Sequence, residues 1–444
     1  MKVPTLLLTF FVLLFCGCSA SYKTTTYHEQ KEGRTLRIHE GILSQSSQRI
    51  KYKRNNRTCG IIELSEPIML AMAEQDEEWG FFQFPKIGIS DDGTLITSWQ
   101  MKTDSPKSLG KPSSRACVPM MSKDGGHIWE PQDHAYSRYI NEYNLRFEDT
   151  GILQITNPPT KTIDSYSRFP RSVAKKGAIS YYLADELPED LCGAFLNYSF
   201  HGKTSNIHAT VNDPGLLHYA IENLMPVVWW GDIKELADKS LIAGVYPCYY
   251  LDDNNNVLPT GVSFYQSSDG AHTWDVVGKV PSLSWDILDE YKGDGGFTEP
   301  TFEVLRDSTF LCVMRTGSES PMYSSFSYNR GVTWTQPEPF TPNGVFPHLL
   351  LLKNGVLVLV SGRPGIQIRF SFDGTGREWT EPIDMIPFMN DDGTYTRDVS
   401  CGYASVLEAD NNSLYIVYSD FTQKNQKGEE RKSIWFRKIA VRKQ

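Results

Sequence analysis

Short apolar runs separated by turn residues fill the chain from about residue 61 to its end. Runs such as 94–99, 355–360 and 414–418 are rich in Val, Ile, Leu, Phe and Tyr, and Gly, Asp and Asn stand between them. Short runs of this composition, bounded by turn residues, are typical of β-strands. The pattern therefore predicts an all-β fold for residues 61–444.

Helical patterning is scarce along the same stretch. The best candidates for the 3.6-residue spacing of an amphipathic helix are residues 63–75 and 214–224, and both are short. Residues 160–245 have the least regular pattern. We expect little helix in this protein.

The N-terminus reads as a targeting segment. Lys2 is followed by an apolar run over residues 6–15, which is too short to span a bilayer and has the length of a signal-peptide core. The Gly17-Cys18 junction resembles a bacterial lipobox, in which Cys18 becomes the lipidated first residue. The alternative is cleavage after Ala20, which leaves a soluble secreted protein.

These features predict a signal peptide over residues 1–17, a polar tether and lead-in over 18–60, and one folded domain over 61–444. The protein is expected to be exported and lipid-anchored at the bacterial cell envelope, in the outer membrane or periplasm. No stretch after the signal peptide is apolar enough to span a membrane, so the expected membrane contact is the lipid alone.

Charge and cysteine content exclude two further classes of function. The chain has 444 residues and a net charge of −9, whereas a nucleic-acid-binding protein carries a basic surface. The six cysteines after Cys18 contain no closely spaced pair, so no zinc site is expected. Cys312 and Cys401 lie in apolar runs and are predicted to be buried free thiols, while one disulfide elsewhere stays open for an exported chain.

A repeated turn indicates the architecture. The pattern Ser-x-Asp-x-Gly-x-Thr-Trp begins at residues 122, 267, 327 and 371. Ile128 replaces Thr in the first copy, Ala271 replaces Gly in the second, Asn329 replaces Asp in the third, and the fourth has one extra residue. Asp accepts backbone N–H groups, Gly supplies a positive φ, and Trp packs between strands. A repeat of about 40–50 residues fits a four-stranded propeller blade, so the prediction is a six-bladed β-propeller with four-stranded antiparallel blades.

The four turns resemble the Asp boxes of the sialidase superfamily, and the resemblance covers nearly the whole chain after the signal peptide. Asp boxes also occur in non-catalytic propellers, so they imply the fold and not an activity. The family itself implies more: an exo-acting glycoside hydrolase with a Glu–Tyr nucleophile, an Asp acid/base and three Arg that hold the substrate carboxylate.

Four residues in the second half of the chain match that pattern in order and spacing. Glu299, in a Glu-Pro pair, resembles the family's Glu, and Arg315 follows 16 residues later as the second Arg. Arg363 resembles the third Arg. Tyr403 resembles the nucleophile.

The first blade departs from the pattern. The family's aromatic-Arg-Ile-Pro motif corresponds to Phe82-Gln83-Phe84-Pro85, so Gln83 stands where the family has its first Arg. We expect Gln83 to point into the cleft and to contact substrate. Asp104 matches the acid/base, and Lys102 is a candidate to supply the charge lost at position 83.

The chemistry explains why these residue types occur together. A tyrosine with a pKa near 10 is a poor nucleophile unless a base such as Glu299 takes its proton. Asp104 would protonate the leaving oxygen and then activate water, which gives a retaining reaction. Arg315 and Arg363 present forked donors that suit a carboxylate. No metal or organic cofactor is implied.

The resemblance leaves the substrate open. The predicted partner is a glycan or oligosaccharide, bound by a monomer. Loss of one charge-assisted bond, worth about 1.5–3 kcal/mol, weakens carboxylate binding. The alternatives are a hydrolase or lyase acting on a different acidic or neutral sugar, and a non-catalytic glycan-binding surface lipoprotein. Asp420, 17 residues after Tyr403, is a further candidate to orient an Arg.

Overall fold

Strands dominate the computed structural model of the protein, and the α-helix Trp285–Glu290 is the single α-helix among the described residues. The structure describes residues 23–27, 37–38, 41–43, 46–54, 57–105, 115, 117–131, 144–147, 151–201, 203–290, 295–318, 320–386, 388, 398–410 and 412–444. The predicted signal peptide and Cys18 lie outside these residues. The all-β prediction is confirmed for the part that is described.

The strands, numbered in chain order, form six sheets. The first sheet has the order β1 (Lys23–Tyr27), β4 (Gln48–Arg54), β5 (Arg57–Leu64), β34 (Glu430–Lys443), β33 (Ser413–Lys424) and β32 (Ala404–Asp410), with β6 (Ile68–Met72) also paired to β34. The second has the order β10 (Glu130–Pro131), β9 (Met120–Ser122), β8 (Leu95–Met101) and β7 (Phe81–Ile89). The third has the order β24 (Thr298–Val304), β25 (Phe310–Arg315), β26 (Met322–Ser327) and β27 (Glu338–Thr341).

The other three sheets have six, eight and five strands. The fourth has the order β2 (Arg37–Ile38), β3 (Gly41–Leu43), β31 (Ile383–Asp384), β30 (Ile366–Ser371), β29 (Leu357–Gly362) and β28 (Val345–Leu351). The fifth has the order β11 (Asn144–Arg146), β12 (Ile152–Thr156), β16 (Ala194–Phe200), β17 (Lys203–Asn212), β23 (Thr273–Lys279), β22 (Gly261–Ser267), β21 (Leu241–Cys248) and β20 (Trp230–Glu235). The sixth has the order β13 (Lys161–Thr162), β19 (Leu224–Met225), β18 (Leu217–Ile221), β15 (Ile179–Leu183) and β14 (Ala174–Lys176).

The eight-stranded sheet departs from the predicted separate four-stranded blades. Its two antiparallel halves, β11–β12–β16–β17 and β20–β21–β22–β23, are joined by a parallel pairing of β17 with β23. Strand β11 also lies close to β20, so the sheet nearly closes on itself. The five-stranded sheet comes from the segment around residues 160–225, where the sequence pattern was least regular.

Neither predicted helix forms. Residues 63–75 contain the end of β5 and all of β6, and both strands pair with β34 near the C-terminus. Residues 214–224 contain β18, which pairs with β15. Pairing with distant strands overrides local helical spacing at both places.

The folded part starts earlier than predicted. Strand β4 pairs with β5 along its length, and its side chains Ile50 and Tyr52 are fully buried. Because β5 in turn pairs with β34, the segment assigned to a tether joins the two ends of the domain in one sheet. Strands β1 and β3 also pair with β4 and β31, so sheet structure extends into the segment assigned to the tether.

The four repeated turns adopt one hydrogen-bonding pattern. In each, the Ser hydroxyl donates to the Asp or Asn two residues later, at 2.7 to 3.1 Å, and accepts the N–H of the Gly or Ala that follows. Each turn joins the third and fourth strands of an antiparallel group. The Trp that closes the turn packs on an aromatic ring, as for Trp129 on Phe436, Trp334 on Phe264 and Trp379 on Phe340.

All six described cysteines are free thiols, and Cys248, Cys312 and Cys401 are buried. The prediction for Cys312 and Cys401 is confirmed. Among the helices of the described part, none has the length and apolar character needed to cross a bilayer.

Candidate active site

Three strands carry a bulge that turns one side chain toward a common point. Phe84, Glu299 and Phe346 have φ angles of 50°, 46° and 46°, and a proline follows each of them. The strand register shifts at the same three places. A proline gives no N–H to the ladder, and a bulge re-aims the neighbouring side chain. Residues other than glycine rarely adopt such φ values, and strained positions of this kind cluster at functional sites.

Antiparallel pairing places the second strands beside these bulges. Arg315 ends β25 and pairs with Thr298, next to Glu299. Gly362 ends β29 and pairs with Val345, next to Phe346, so Arg363 follows at the same edge. Strand starts and strand ends from two sheets therefore meet at one edge of the fold.

Glu299 and Tyr403 are in direct contact. The Tyr403 hydroxyl donates a hydrogen bond to Glu299 Oε1. Arg315 Nη1 donates to the same oxygen at 2.8 Å and lies 3.4 Å from the Tyr403 hydroxyl. The backbone N–H of Phe346 donates to Glu299 Oε2 at 2.9 Å. Donors therefore occupy both carboxylate oxygens, and three of the four residues singled out in the second half of the chain form one cluster.

The cluster is largely enclosed. Glu299 is 6% exposed and Tyr403 is 9% exposed. The Tyr403 ring stacks on Phe346 with 4.3 Å between centroids and meets Phe84 edge-on at 4.8 Å. Burial raises the pKa of Tyr403 well above its usual value, the Glu299 carboxylate raises it further, and Arg315 and Arg363 lower it. Tyr403 is thus a neutral phenol at neutral pH, in contact with a carboxylate.

Close backbone contact brings the segment with Tyr403, just before β32, to this edge. A Cβ on Gly362 would lie 1.9 Å from the Gly402 carbonyl oxygen, so any side chain at residue 362 would push the Tyr403 segment away. Glycine at this position lets the two backbones touch.

Arg363 reaches the same cluster through Ser318. Ser318 Oγ accepts hydrogen bonds from Arg363 Nη1 at 2.9 Å and from Arg315 Nη2 at 3.1 Å. The guanidinium carbon of Arg363 also lies 5.9 Å from the ring centroid of Trp79. The two arginines predicted to bind substrate therefore lie side by side.

Asp104 lies at the open side of the site. It is exposed, and its Oδ2 accepts a hydrogen bond from the Trp79 indole at 3.1 Å. Gly80, with φ +105°, packs so tightly that a Cβ there would lie 2.2 Å from the Lys102 carbonyl oxygen. Trp79 thus links Asp104 to Arg363.

Lys102, the predicted replacement for the missing charge, lies near Asp104. Burial lowers the pKa of Lys102, and the charge of Lys86 lowers it further, whereas Asp104 raises it.

Gln83 is fully buried. It is 0% exposed, and both atoms of its amide lack a hydrogen-bond partner within the described residues. The bulge turns Phe84 toward Tyr403 instead. The predicted contact of Gln83 with substrate therefore finds no exposed surface at position 83, where the strand register shifts between Gln83 and Lys86.

Asp420 also differs from expectation. It is buried and accepts hydrogen bonds from Thr422 and Gln423, at 2.7 to 2.8 Å. No arginine is among its hydrogen-bond partners in the described part of the chain. Its role there is to hold the local loop.

Sequence reasoning missed three contributors: Trp79, Ser318 and Phe346. Phe346 had a signal, since Phe84, Glu299 and Phe346 all precede proline at a strand start. Ser318 and Trp79 lie in loops with no repeated pattern, and only their contacts reveal them.

A large pocket lies away from this cluster. It has a volume of about 620 Å³ and is lined by residues of the eight-stranded sheet and its turns, including Phe147, Tyr198, Glu235 and His272. Strand β20 runs from Trp230, whose ring lies 6.4 Å from that of Phe346, to Glu235 at this pocket. The pocket therefore opens at the other end of β20 and holds none of the residues described above.

Comparison with solved structures shows the fold. The chain is similar to the crystal structure of a protein of unknown function from Dyadobacter fermentans DSM 18053, with 18% identity, a TM-score of 0.56, and coverage of 86% of this chain and 99% of that chain. It is also similar to the Hadza microbial sialidase Hz136, with 15% identity, a TM-score of 0.47, and coverage of 90% and 74%. A third is an alpha-L-arabinanase from Penicillium chrysogenum, with 14% identity, a TM-score of 0.42, and coverage of 84% and 98%.

The first of these matches shows that the chain shares the fold of the Dyadobacter protein. No protein-family model matches the sequence, and no curated protein matches it.

Proposed function

We propose that five of the six sheets form an elaborated six-bladed β-propeller, in which the eight-stranded sheet supplies two blades and the five-stranded sheet is an addition. Five groups of four strands and one of five support this reading: β7–β10, β11–β12–β16–β17, β20–β23, β24–β27, β28–β31, and β32–β34 completed by β5 and β6. First strands of neighbouring groups lie together, as for β20 with β24, β24 with β28, β28 with β32 and β32 with β7. Trp129 of the first group packs on Phe436 of the last, which fits a closed ring. The four repeated turns then correspond to Asp boxes.

We infer that the protein is an exo-acting glycoside hydrolase of the sialidase-like type. The observation that carries this inference is the Tyr403 hydroxyl donating to a carboxylate that Arg315 and the Phe346 N–H also hold. A buried phenol with a raised pKa is inert by itself, but a base in contact with it can take its proton as it attacks. A purely structural tyrosine needs no such base.

The first half of the reaction forms a glycosyl-enzyme. The Tyr403 oxygen attacks the anomeric carbon, and its proton passes to Glu299. The bond from the anomeric carbon to the leaving oxygen breaks, and Asp104 donates a proton to that oxygen. Arg315, which contacts both Glu299 Oε1 and the Tyr403 hydroxyl, stabilises the negative charge shared between them.

The second half releases the sugar. Asp104 takes a proton from water, and the water oxygen attacks the anomeric carbon. The bond to Tyr403 breaks, and Glu299 returns the proton to the phenolic oxygen. Two displacements at one carbon retain its configuration.

The substrate end that enters this site is proposed to carry an acidic group. Arg363 has no carboxylate partner within the described residues, and its guanidinium points to the same serine as Arg315. A terminal acidic sugar of a glycan supplies the missing anion. We propose in addition that the protein is exported and lipid-anchored through Cys18, on the strength of the Gly17-Cys18 junction alone.

The decisive experiment is a substrate panel. Purified protein is incubated with aryl glycosides of N-acetylneuraminic acid, glucuronic acid, galacturonic acid and neutral sugars, and the release of the phenol is recorded. We expect turnover of an acidic glycoside with retention of anomeric configuration, read by proton NMR of the first-formed sugar. Inversion, or turnover of neutral glycosides alone, would contradict the proposal. Binding without any turnover would favour the glycan-binding alternative.

A further inference from the structure

The hydroxyl of Ser318 joins the two arginines of the site. Arg315 Nη2 and Arg363 Nη1 both lie within 3.1 Å of Ser318 Oγ. The loop that carries Ser318 is held at both sides: Arg315 Nε donates to the Gly317 carbonyl at 3.2 Å, and Thr316 Oγ1 donates to the Pro321 carbonyl at 2.6 Å. These two bonds hold the backbone on either side of Ser318.

The two arginines that share the Ser318 hydroxyl differ in their ion pairs. Glu299 compensates Arg315 through a 2.8 Å ion pair, whereas Arg363 has no ion pair within the described residues. Within the described residues, two guanidinium groups are thus held at one neutral oxygen, and no ion pair balances the charge of Arg363 there. Such an arrangement is more stable once an anion binds between the guanidinium groups.

Hydroxyl chemistry adds a third donor. A serine hydroxyl can accept two hydrogen bonds and donate one. Both acceptor positions of Ser318 Oγ are used by arginines, and no hydrogen bond within the described residues uses its own proton. That proton is available to an anion that meets both guanidinium groups.

We propose that Ser318 is a substrate-binding and positioning residue. It holds Arg363 beside Arg315 and donates its own proton to the acidic group of the substrate. The inference rests on the proposed function, since it concerns the same site. On the first blade, Phe84 and not a cation meets Tyr403. Ser318 then gives the anion a third donor beside Arg315 and Arg363.

A structural test addresses the positioning role without any ligand. In Ser318→Ala, we expect Arg363 to leave its place beside Arg315 in a crystal structure, while the Tyr403–Glu299–Arg315 contacts stay. Ser318→Thr keeps the hydroxyl and should keep Arg363 in place. An unmoved Arg363 in Ser318→Ala would overturn the positioning role.

A binding test addresses the anion. The probes are N-acetylneuraminic acid, glucuronic acid and the methyl ester of each, titrated into the protein by calorimetry. We expect wild type to prefer an acid over its ester, Ser318→Ala to weaken that acid about tenfold, and Ser318→Thr to weaken it less than about threefold. Binding of the esters should change less than about twofold in either variant. If wild type binds no acid more tightly than its ester, or if Ser318→Ala weakens acid and ester equally, the anion role is wrong.

A double-mutant cycle separates the two parts of the inference. If Ser318 acts partly through Arg363, Ser318→Ala should weaken acid binding less in an Arg363→Gln background than in wild type. Equal effects in both backgrounds would support direct donation from the Ser318 hydroxyl to the acid and would refute the positioning of Arg363 by Ser318.

Failure of this inference is distinguishable from failure of the proposed function. Acid binding that depends on Ser318, without glycoside turnover, keeps the inference and refutes the hydrolase. Turnover that depends on Tyr403 but is insensitive to Ser318 keeps the hydrolase and refutes the inference.

Discussion

Replacing Tyr403 by Phe isolates one oxygen atom and tests the proposed nucleophile directly. The ring keeps its contacts with Phe346 and Phe84, at 4.3 and 4.8 Å. Glu299 loses one donor but keeps Arg315 and the Phe346 N–H. Loss of one hydrogen bond with the acceptor still satisfied costs about 1 kcal/mol of folding free energy. A domain with about 5–15 kcal/mol of stability stays folded.

The expected effect on catalysis is far larger. Removing a nucleophile leaves no atom to form the glycosyl-enzyme, and kcat should fall at least about 1,000-fold, or about 4 kcal/mol of transition-state free energy. A stability change of about 1 kcal/mol cannot produce such a loss. The two magnitudes therefore distinguish a catalytic phenol from a structural one.

The assay combines kcat and kcat/KM on the best aryl glycoside of the panel with urea denaturation of each variant. Tyr418→Phe is the matched control. Tyr418 is a buried tyrosine on β33 that pairs with Ala404, the residue after Tyr403. The control should keep activity within about threefold of wild type, since it removes the same atom from the neighbouring strand. A folded Tyr403→Phe with activity within about tenfold of wild type would refute the nucleophile assignment.

Four further predictions concern single side chains. Asp104→Asn should lower kcat at least about 100-fold on alkyl glycosides and much less on aryl glycosides, whose leaving groups need no proton; equal losses on both would contradict the acid role. Gln83→Leu should leave the free energy of unfolding in urea unchanged or raise it, because the buried amide has no hydrogen-bond partner within the described residues. Gln83→Arg should lower that free energy by about 3 kcal/mol or more, because it buries an unpaired charge. A well-tolerated Gln83→Arg would show that position 83 reaches solvent. Burial raises the pKa of Asp384 from 3.8 to about 6, so the native state keeps a proton that the unfolded chain releases, and the stability of the wild type falls as the pH rises through that window. The free energy of unfolding of Asp384→Asn should therefore rise by about 2–3 kcal/mol relative to wild type between pH 4 and pH 7. A difference between the two proteins that does not change with pH would contradict this. Cys18→Ala should release the protein from the membrane fraction, and an unchanged fraction on immunoblot would refute the lipid anchor.

Features encoded within a few residues of each other were accessible from the sequence. The repeated turns are an example, because the Ser, the Asp and the backbone N–H groups that form each turn lie within eight or nine positions. The proline after Glu299 is another, since it removes a ladder N–H and makes a bulge favourable at that place. The strand-like composition and the buried state of Cys312 and Cys401 were predictable on that basis. The cluster of Glu299, Arg315 and Tyr403 was predicted only from the resemblance to a known family, because its members lie up to 104 residues apart.

Only the tertiary structure decided which neighbours those residues have. Whether Gln83 or Phe84 faces Tyr403 depends on the register between β7 and β8, and one residue of shift moves a side chain to the other face. The pairing of β5 and β6 with β34 spans nearly the whole chain, so a local apolar pattern at residues 63–75 could not distinguish it from a helix. The contacts of Ser318 with Arg363 and of Trp79 with Asp104 join loops 45 and 25 residues apart. Such contacts carry no local pattern, because the energy that fixes them comes from packing between sheets and not from the residues on either side.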